Sequence, residues 1–140
     1  MRIKIVGRNP DINIINYASK DPMVDVIGYI EDERDAFKKA RALIVPLQIG
    51  GGSRLKILTA FGLGKAVIST SKGAEGIDCN DGKDILIADS PEQFAQCMLD
   101  LWFNKGKTLL LGQSARQLAE EKYDWKILGQ KLSDFYRKLV

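Results

Sequence analysis

Three features of this sequence predict a doubly wound α/β fold, Rossmann-like, built on a parallel sheet. Short β-branched runs alternate with longer amphipathic stretches, the runs stop at turn signals, and one run, Ala42 to Pro46, is apolar throughout. Strands alternating with helices pair in parallel, because right-handed crossovers place helices on both faces of the sheet. The 140 residues have the length of one domain, 1–140, with no linker, repeat or low-complexity tract to divide them.

The elements follow in order. Arg2 to Val6 reads as a strand that stops at Gly7-Arg8-Asn9-Pro10, a strong turn signal. Ile12, Ile15 and Ala18 then recur at helical spacing, against the weak helix propensity of Asn13 and Asn16. Val24 to Tyr29 is the second strand, and Asp32 caps a helix over Glu33 to Ala40. Ala42 to Pro46 is the third strand, its continuous apolarity expected of a strand covered on both faces. Leu55 to Leu63 is helical, with Leu55, Leu58 and Phe61 on one side, and ends at Gly62-x-Gly64. Ala66 to Ser69 and Ile85 to Ala88 are the fourth and fifth strands, with Asp81 to Asp84 as the turn before the fifth. Ser90 caps a helix from Pro91 to about Phe103, with Phe94, Cys97, Met98 and Leu101 facing inward. Two more helices run from about Lys107 to Lys122 and from Trp125 to Leu139. Trp102, Phe103, Tyr123, Trp125, Phe135 and Tyr136 lie in or beside these helices and suit core or interdomain packing rather than stacking platforms.

Composition removes several classes of function. The chain has no histidine, which excludes a Ser-His-Asp triad or a histidine base within it. Cys79 and Cys97 are too far apart for a paired zinc motif, so reduced thiols and no metal are expected. The net charge of +3 is spread among 21 basic and 18 acidic residues, without the basic stripe of a nucleic-acid binder. No apolar run approaches the ~20 residues of a membrane-spanning helix, and Met1 to Gly7 is too short and too charged for a signal peptide. A cytoplasmic protein is the expectation.

In doubly wound sheets, ligands bind in the crevice beyond the carboxyl ends of the strands. One segment there stands out: Pro46-Leu47-Gln48-Ile49-Gly50-Gly51-Gly52-Ser53-Arg54-Leu55-Lys56 leaves a strand and enters a helix. Three consecutive glycines let backbone amides approach a ligand, at an entropic cost that packing alone seldom justifies. Ser53 can cap the helix, which puts Arg54 and Lys56 in its first turn. Cations there oppose the helix dipole by ~0.3–1 kcal/mol each. An anion among the amides would reverse that sign, since amides, dipole and cations all attract it. The alternative is a flexible glycine turn with two solvated basic side chains. Competing phosphate motifs fail: Gly64-Lys65 is followed by Ala66, Thr59 stands where a P-loop needs its first glycine, and Gly62-x-Gly64 continues to Val67.

With that loop placed, nearly the whole chain resembles the C-terminal domain of group 1 glycosyltransferases, retaining enzymes of family 4 type with the two-domain GT-B fold. The resemblance rests on Gly7-Arg8-Asn9-Pro10, Val26-Ile27-Gly28-Tyr29-Ile30, and Pro46 through Leu58. It continues through Gly64 to Thr70, Gly73-Ala74-Glu75-Gly76, Ala115-Arg116 and Tyr123-Asp124-Trp125. It implies a nucleotide-sugar donor as ligand. By position, Tyr29 and Ile30 would contact the base, Arg54 and Lys56 the diphosphate with the Gly51 and Gly52 amides, and Glu75 the sugar. The leaving diphosphate would be stabilised by these cations and amides, with no tightly bound metal or other cofactor.

Two departures qualify the resemblance. The family usually shows Lys-Ile-Leu-Glu-Ala, whose glutamate binds the donor ribose; here the run is Lys56-Ile57-Leu58-Thr59-Ala60. Thr59 keeps a hydroxyl but lacks the charge and reach of a carboxylate. Loss of one charge-assisted bond of ~1.5–3 kcal/mol weakens affinity roughly tenfold or more. A second acid common in the family, separated from that glutamate by seven residues, falls on Gly51. The family domain also opens with a further strand and helix and follows an N-terminal acceptor-binding domain, neither of which this chain matches. The resemblance thus implies part of a two-domain enzyme of polysaccharide biosynthesis, incomplete and inactive alone and able to self-associate through exposed apolar surface. It also implies direct pairing of the Arg2 strand with the Ala42 strand. A non-catalytic α/β binding or scaffold module that has lost donor binding is the alternative. A receiver-type or flavodoxin-like domain is a distant third, because Val6-Gly7-Arg8-Asn9 supplies neither an acid cluster nor a phosphate loop.

Overall fold

The computed structural model describes residues 1–139. It divides into two compact units, Met1–Ala36 and the chain from Phe37 onward.

The first unit holds β1 (Ile3–Val6), α1 (Ile12–Ala18), β2 (Val24–Gly28) and the start of α2 (Glu33–Lys39). β1 and β2 are parallel, with Ile3 opposite Val24 and Ile5 opposite Val26. The register slips between Ile5 and Val6, so that Val6 pairs with Gly28 at φ +74°, a conformation only glycine adopts cheaply. α1 forms at the expected Ile12, Ile15 and Ala18, with the Asp11 carboxylate accepting from the Asn13 amide at 2.7 Å. None of its residues is buried. Asp32 caps α2 as expected, accepting from the Arg34 amide at 2.9 Å.

The second unit continues with β3 (Ala42–Val45), α3 (Leu55–Gly62), β4 (Ala66–Ser69), α4 (Ser71–Ala74) and β5 (Leu86–Ile87), then α5 (Pro91–Phe103), α6 (Lys105–Lys122) and α7 (Trp125–Arg137). Its sheet is parallel in the order β3-β4-β5. All four residues of β4 are buried and serve two cores by strand alternation. Val67 packs with Ile57, Ala60 and Phe61 of α3 and Ala115 and Leu118 of α6; Ala66 and Ile68 pack with Leu86, Leu101 and Leu111.

Two expectations are corrected here, on the buried strand and on the inner face of α3. The strand covered on both faces is β4, whereas β3 is mostly half-buried, because β3 lies at the edge of its sheet. Within the first unit β1 is bonded to β2, and within the second β3 is bonded to β4. The inner face of α3 is Ile57, Ala60 and Phe61, at i, i+3, i+4 spacing, while Leu55 is 62% exposed. Of the six C-terminal aromatic residues expected in core or interdomain packing, Tyr123 packs against a core. Trp102, Phe103, Phe135 and Tyr136 are exposed, and Trp125 is 85% exposed on an α7 that buries no residue.

Local signals held at the element ends. α3 closes at Gly64 (φ +65°), whose amide donates to the Phe61 carbonyl while Lys65 donates to Ala60, the bond pair of a left-handed helix stop. At α5, Ser90 Oγ accepts from the Gln93 amide and Gln93 Oε1 accepts from the Ser90 amide, a reciprocal capping box with Pro91 in the first turn. Ser90→Ala is expected to lower unfolding stability by about 1 kcal/mol in urea titrations, whereas Ser90→Asp should nearly restore it.

Candidate anion site at the glycine-rich loop

The loop from Pro46 to Arg54 joins β3 to α3. Gly50 and Gly52 have φ of +143° and +97°, so two of the three glycines are required by the backbone itself. A Cβ at Gly51 or Gly52 would meet nothing within 4 Å, and no main-chain carbonyl among the described residues accepts from either amide.

The loop is tied to the segment after β4. Thr70 is buried; its hydroxyl donates to the Leu47 carbonyl at 2.5 Å and accepts from the Gly73 amide at 2.9 Å, capping α4. Its own amide donates to the Val45 carbonyl at 3.2 Å. Gly73 is needed there, since a Cβ would lie 2.4 Å from Ser69 Oγ.

Across this junction Arg54 meets Glu75. The Arg54 side chain is only 10% exposed; its Nη2 donates to the Lys72 carbonyl at 2.9 Å and lies 3.4 Å from Glu75 Oε2. Its Nε is buried and has no acceptor. A buried donor left unpaired costs about 1–3 kcal/mol, which makes it a mark of a missing partner. Glu75 is 60% exposed, and the same Oε2 accepts from Lys72 Nζ at 2.6 Å. The hydrogen bond and charge of Lys72, with a smaller contribution from Arg54, hold the Glu75 carboxyl below its usual range.

Of the residues predicted from sequence, Arg54 and Glu75 are thus brought together, and Gly51 and Gly52 lie in the same loop as Arg54. Lys56 is exposed on the first turn of α3, and Thr59 is half-buried one turn further. The expected Ser53 cap is not made. Arg54 itself occupies the N-cap position without a side-chain cap, its carbonyl accepting from the Ile57 and Leu58 amides, and Ser53 stays exposed. Gly52 has a positive φ just before Ser53, and α3 starts one residue later than a Ser53 cap would set. α3 has no acidic residue in its first turn, so nothing in the helix itself offsets its dipole. Tyr29 and Ile30 belong to the first unit, where the Arg8 guanidinium lies 4.3 Å from the centroid of the exposed Tyr29 ring and Ile30 is half-buried.

Thr70 and Lys72 are the site residues that sequence reading missed. The signal for Thr70 was available, a threonine three residues before Gly73, as at a helix cap. For Lys72 there was none, because its neighbour Arg54 is 18 residues away. Elsewhere, an apolar groove of about 340 Å³ is lined by Ile44, Pro46, Gln48, Phe94 and Met98 and includes none of the predicted site residues. Cys79 and Cys97 are free thiols, and burial pushes both of them up, which suits reduced and unreactive cysteines. No group of candidate metal ligands occurs among the described residues, nor any helix long and apolar enough to cross a membrane.

The parallel α/β fold of this chain matches that of the C-terminal domain of GT-B glycosyltransferases. The chain belongs to the family of glycosyl transferases group 1, which matches residues 1–104. Among solved structures it is similar to sucrose-phosphate synthase from Thermosynechococcus elongatus, with a TM-score of 0.82 and 18% identity over 99% of this chain and 38% of that one. It is similar to the C-terminal domain of a glycosyl transferase group 1 family protein from Francisella tularensis, with a TM-score of 0.67, 21% identity, and coverage of 81% and 60%. It is also similar to HepE of Anabaena in complex with UDP and glucose, with a TM-score of 0.77, 14% identity, and coverage of 97% and 40%. The chain therefore spans less than two thirds of each of these proteins.

Proposed function

We propose that the chain, residues 1–140, is the nucleotide-sugar-binding part of a retaining glycosyltransferase, and that its second unit holds the donor diphosphate. The observation that carries this reading is Arg54: a nearly buried guanidinium at the start of α3, with an unpaired Nε, next to a glycine loop in which the Gly51 and Gly52 amides have no main-chain acceptor. Arg54 and Lys56 would supply the positive charge, the Gly51 and Gly52 amides the hydrogen bonds, and the α3 dipole would add to both. Glu75 would contact the sugar, and Thr59 the ribose in place of the usual carboxylate. In the first unit, the exposed Tyr29 ring suits contact with a base. During transfer the cations and amides would stabilise the charge that grows on the departing diphosphate.

Titration of UDP by calorimetry tests the diphosphate assignment. Arg54→Ala is expected to weaken binding at least tenfold, the equivalent of about 1.5 kcal/mol or more for a charge-assisted bond. Lys56→Ala, at an exposed position that does not bear on folding, should weaken it by a smaller factor. Detectable affinity that neither substitution changes would place the phosphates elsewhere.

The second reading, a binding or scaffold module without donor affinity, is favoured by one observation. Thr59 stands where a carboxylate would be expected. Thr59→Glu separates the two: a gain in UDP affinity supports the donor site, and no binding by either form supports the scaffold.

A further inference from the structure

The same Glu75 oxygen touches both cations of the junction, Lys72 Nζ at 2.6 Å and Arg54 Nη2 at 3.4 Å. It sits where a phosphate oxygen would gain most. We infer that Glu75 is the built-in counter-ion of this anion site and that Lys72 is its third cation, so that an entering diphosphate must compete with the Glu75 carboxylate. The inference rests on the anion-binding reading above and adds a mechanism to it.

The three side chains are not equally held. Arg54 is nine-tenths buried and anchored by the Lys72 carbonyl, so its direction is set by the protein. Glu75 and Lys72 are 60% and 45% exposed, and an ion pair so open to water is weak and easily exchanged. Glu75 follows α4 directly, and most of its side chain is open to solvent, so the carboxylate has room to move off the cations. A diphosphate carries more charge than one carboxylate and can also accept from the unpaired Arg54 Nε and the free glycine amides, which Glu75 does not do. The stronger anion wins the cations. Glu75, once released, is free to accept from a hydroxyl of the sugar attached to that diphosphate. One side chain would thus offset part of the positive charge of the empty site and bind sugar in the filled one.

The sign of this effect is opposite to that of a purely structural triad. Removing the competing charge by Glu75→Gln should tighten binding of inorganic pyrophosphate and of UDP by roughly fivefold, the effect of one unit charge about 4 Å away in water. Lys72→Met should weaken both, and by a larger factor in the Glu75→Gln background, where Lys72 is no longer neutralised. Calorimetry on the folded variants, with far-UV circular dichroism to verify their folding, reads these changes. Unchanged or weaker binding by Glu75→Gln, with Arg54→Ala still damaging, would overturn the counter-ion and leave the anion site standing. Absence of binding by both the parent chain and Glu75→Gln would overturn the two together.

Discussion

Gly112→Ala is expected to lower unfolding stability by about 1–3 kcal/mol, although alanine is the better helix former. Gly112 lies inside α6, where exchange for alanine normally stabilises by about 1 kcal/mol. Here the added Cβ would lie 2.2 Å from the Gly64 carbonyl oxygen and 3.0 Å from its carbon. Both are backbone atoms of the turn between α3 and β4, which is held by its own helix-stop hydrogen bonds. No rotamer change relieves the clash, so α6 must move away from β4 and loosen Leu111 and Ala115, which are buried against the two cores. Gly112→Val should go further and remove cooperative unfolding at 25 °C. Gly129→Ala is the control: it lies in α7, its Cβ would meet nothing within 4 Å, and a gain of about 0.5–1 kcal/mol is expected. Urea unfolding of the three variants decides the matter, and a neutral Gly112→Ala would refute the close approach.

Asp84→Ala is expected to cost about 2–4 kcal/mol at neutral pH. Asp84 is 2% exposed and accepts from Ser114 Oγ at 2.7 Å, the Asn80 amide at 3.0 Å and Asn80 Nδ2 at 3.3 Å. It pins the loop before β5 onto α6, and its removal leaves the Ser114 and Asn80 donors unpaired. The position was read from sequence as a plain turn, and its role is larger than that. Burial by itself raises this carboxyl, but the hydrogen bonds from Ser114 and Asn80, with help from Lys83, outweigh burial and hold it below the usual value. A depressed folded-state value means the stabilisation is complete above the unfolded carboxylate range, about pH 4, and is lost as pH falls through the folded value. The stability difference between the parent chain and Asp84→Asn should therefore be largest near pH 7 and shrink toward pH 3. A difference that grows on acidification would contradict the assignment.

The parts of the fold that were legible in the sequence are those set by neighbours in the chain. β4 and α5 have the predicted bounds because Gly64, Ser90 and Pro91 act within a few residues of themselves. The glycine loop was legible for the same reason, since three glycines before Arg54 conflict with any purely local preference. Arg54 was found as a misplaced cation on a helix start, an argument that needs only the helix direction. The Ser53 cap failed because capping depends on the backbone path through Gly52, whose φ of +97° residue type alone does not fix.

By itself, then, the sequence determined the alternation of strands and helices, their stops, and the loop where backbone donors and cations coincide. Each of these follows from side-chain spacing, caps and glycine content, which act over one or two turns. Tertiary structure alone decided that β4 rather than β3 is the buried strand, that Gly112 touches Gly64, and that Asp84 is buried. It also decided what surrounds Arg54. Lys72 and Glu75 reach it only because Thr70 clamps one loop to the other, and the energies of such contacts depend on distances between segments far apart in the chain.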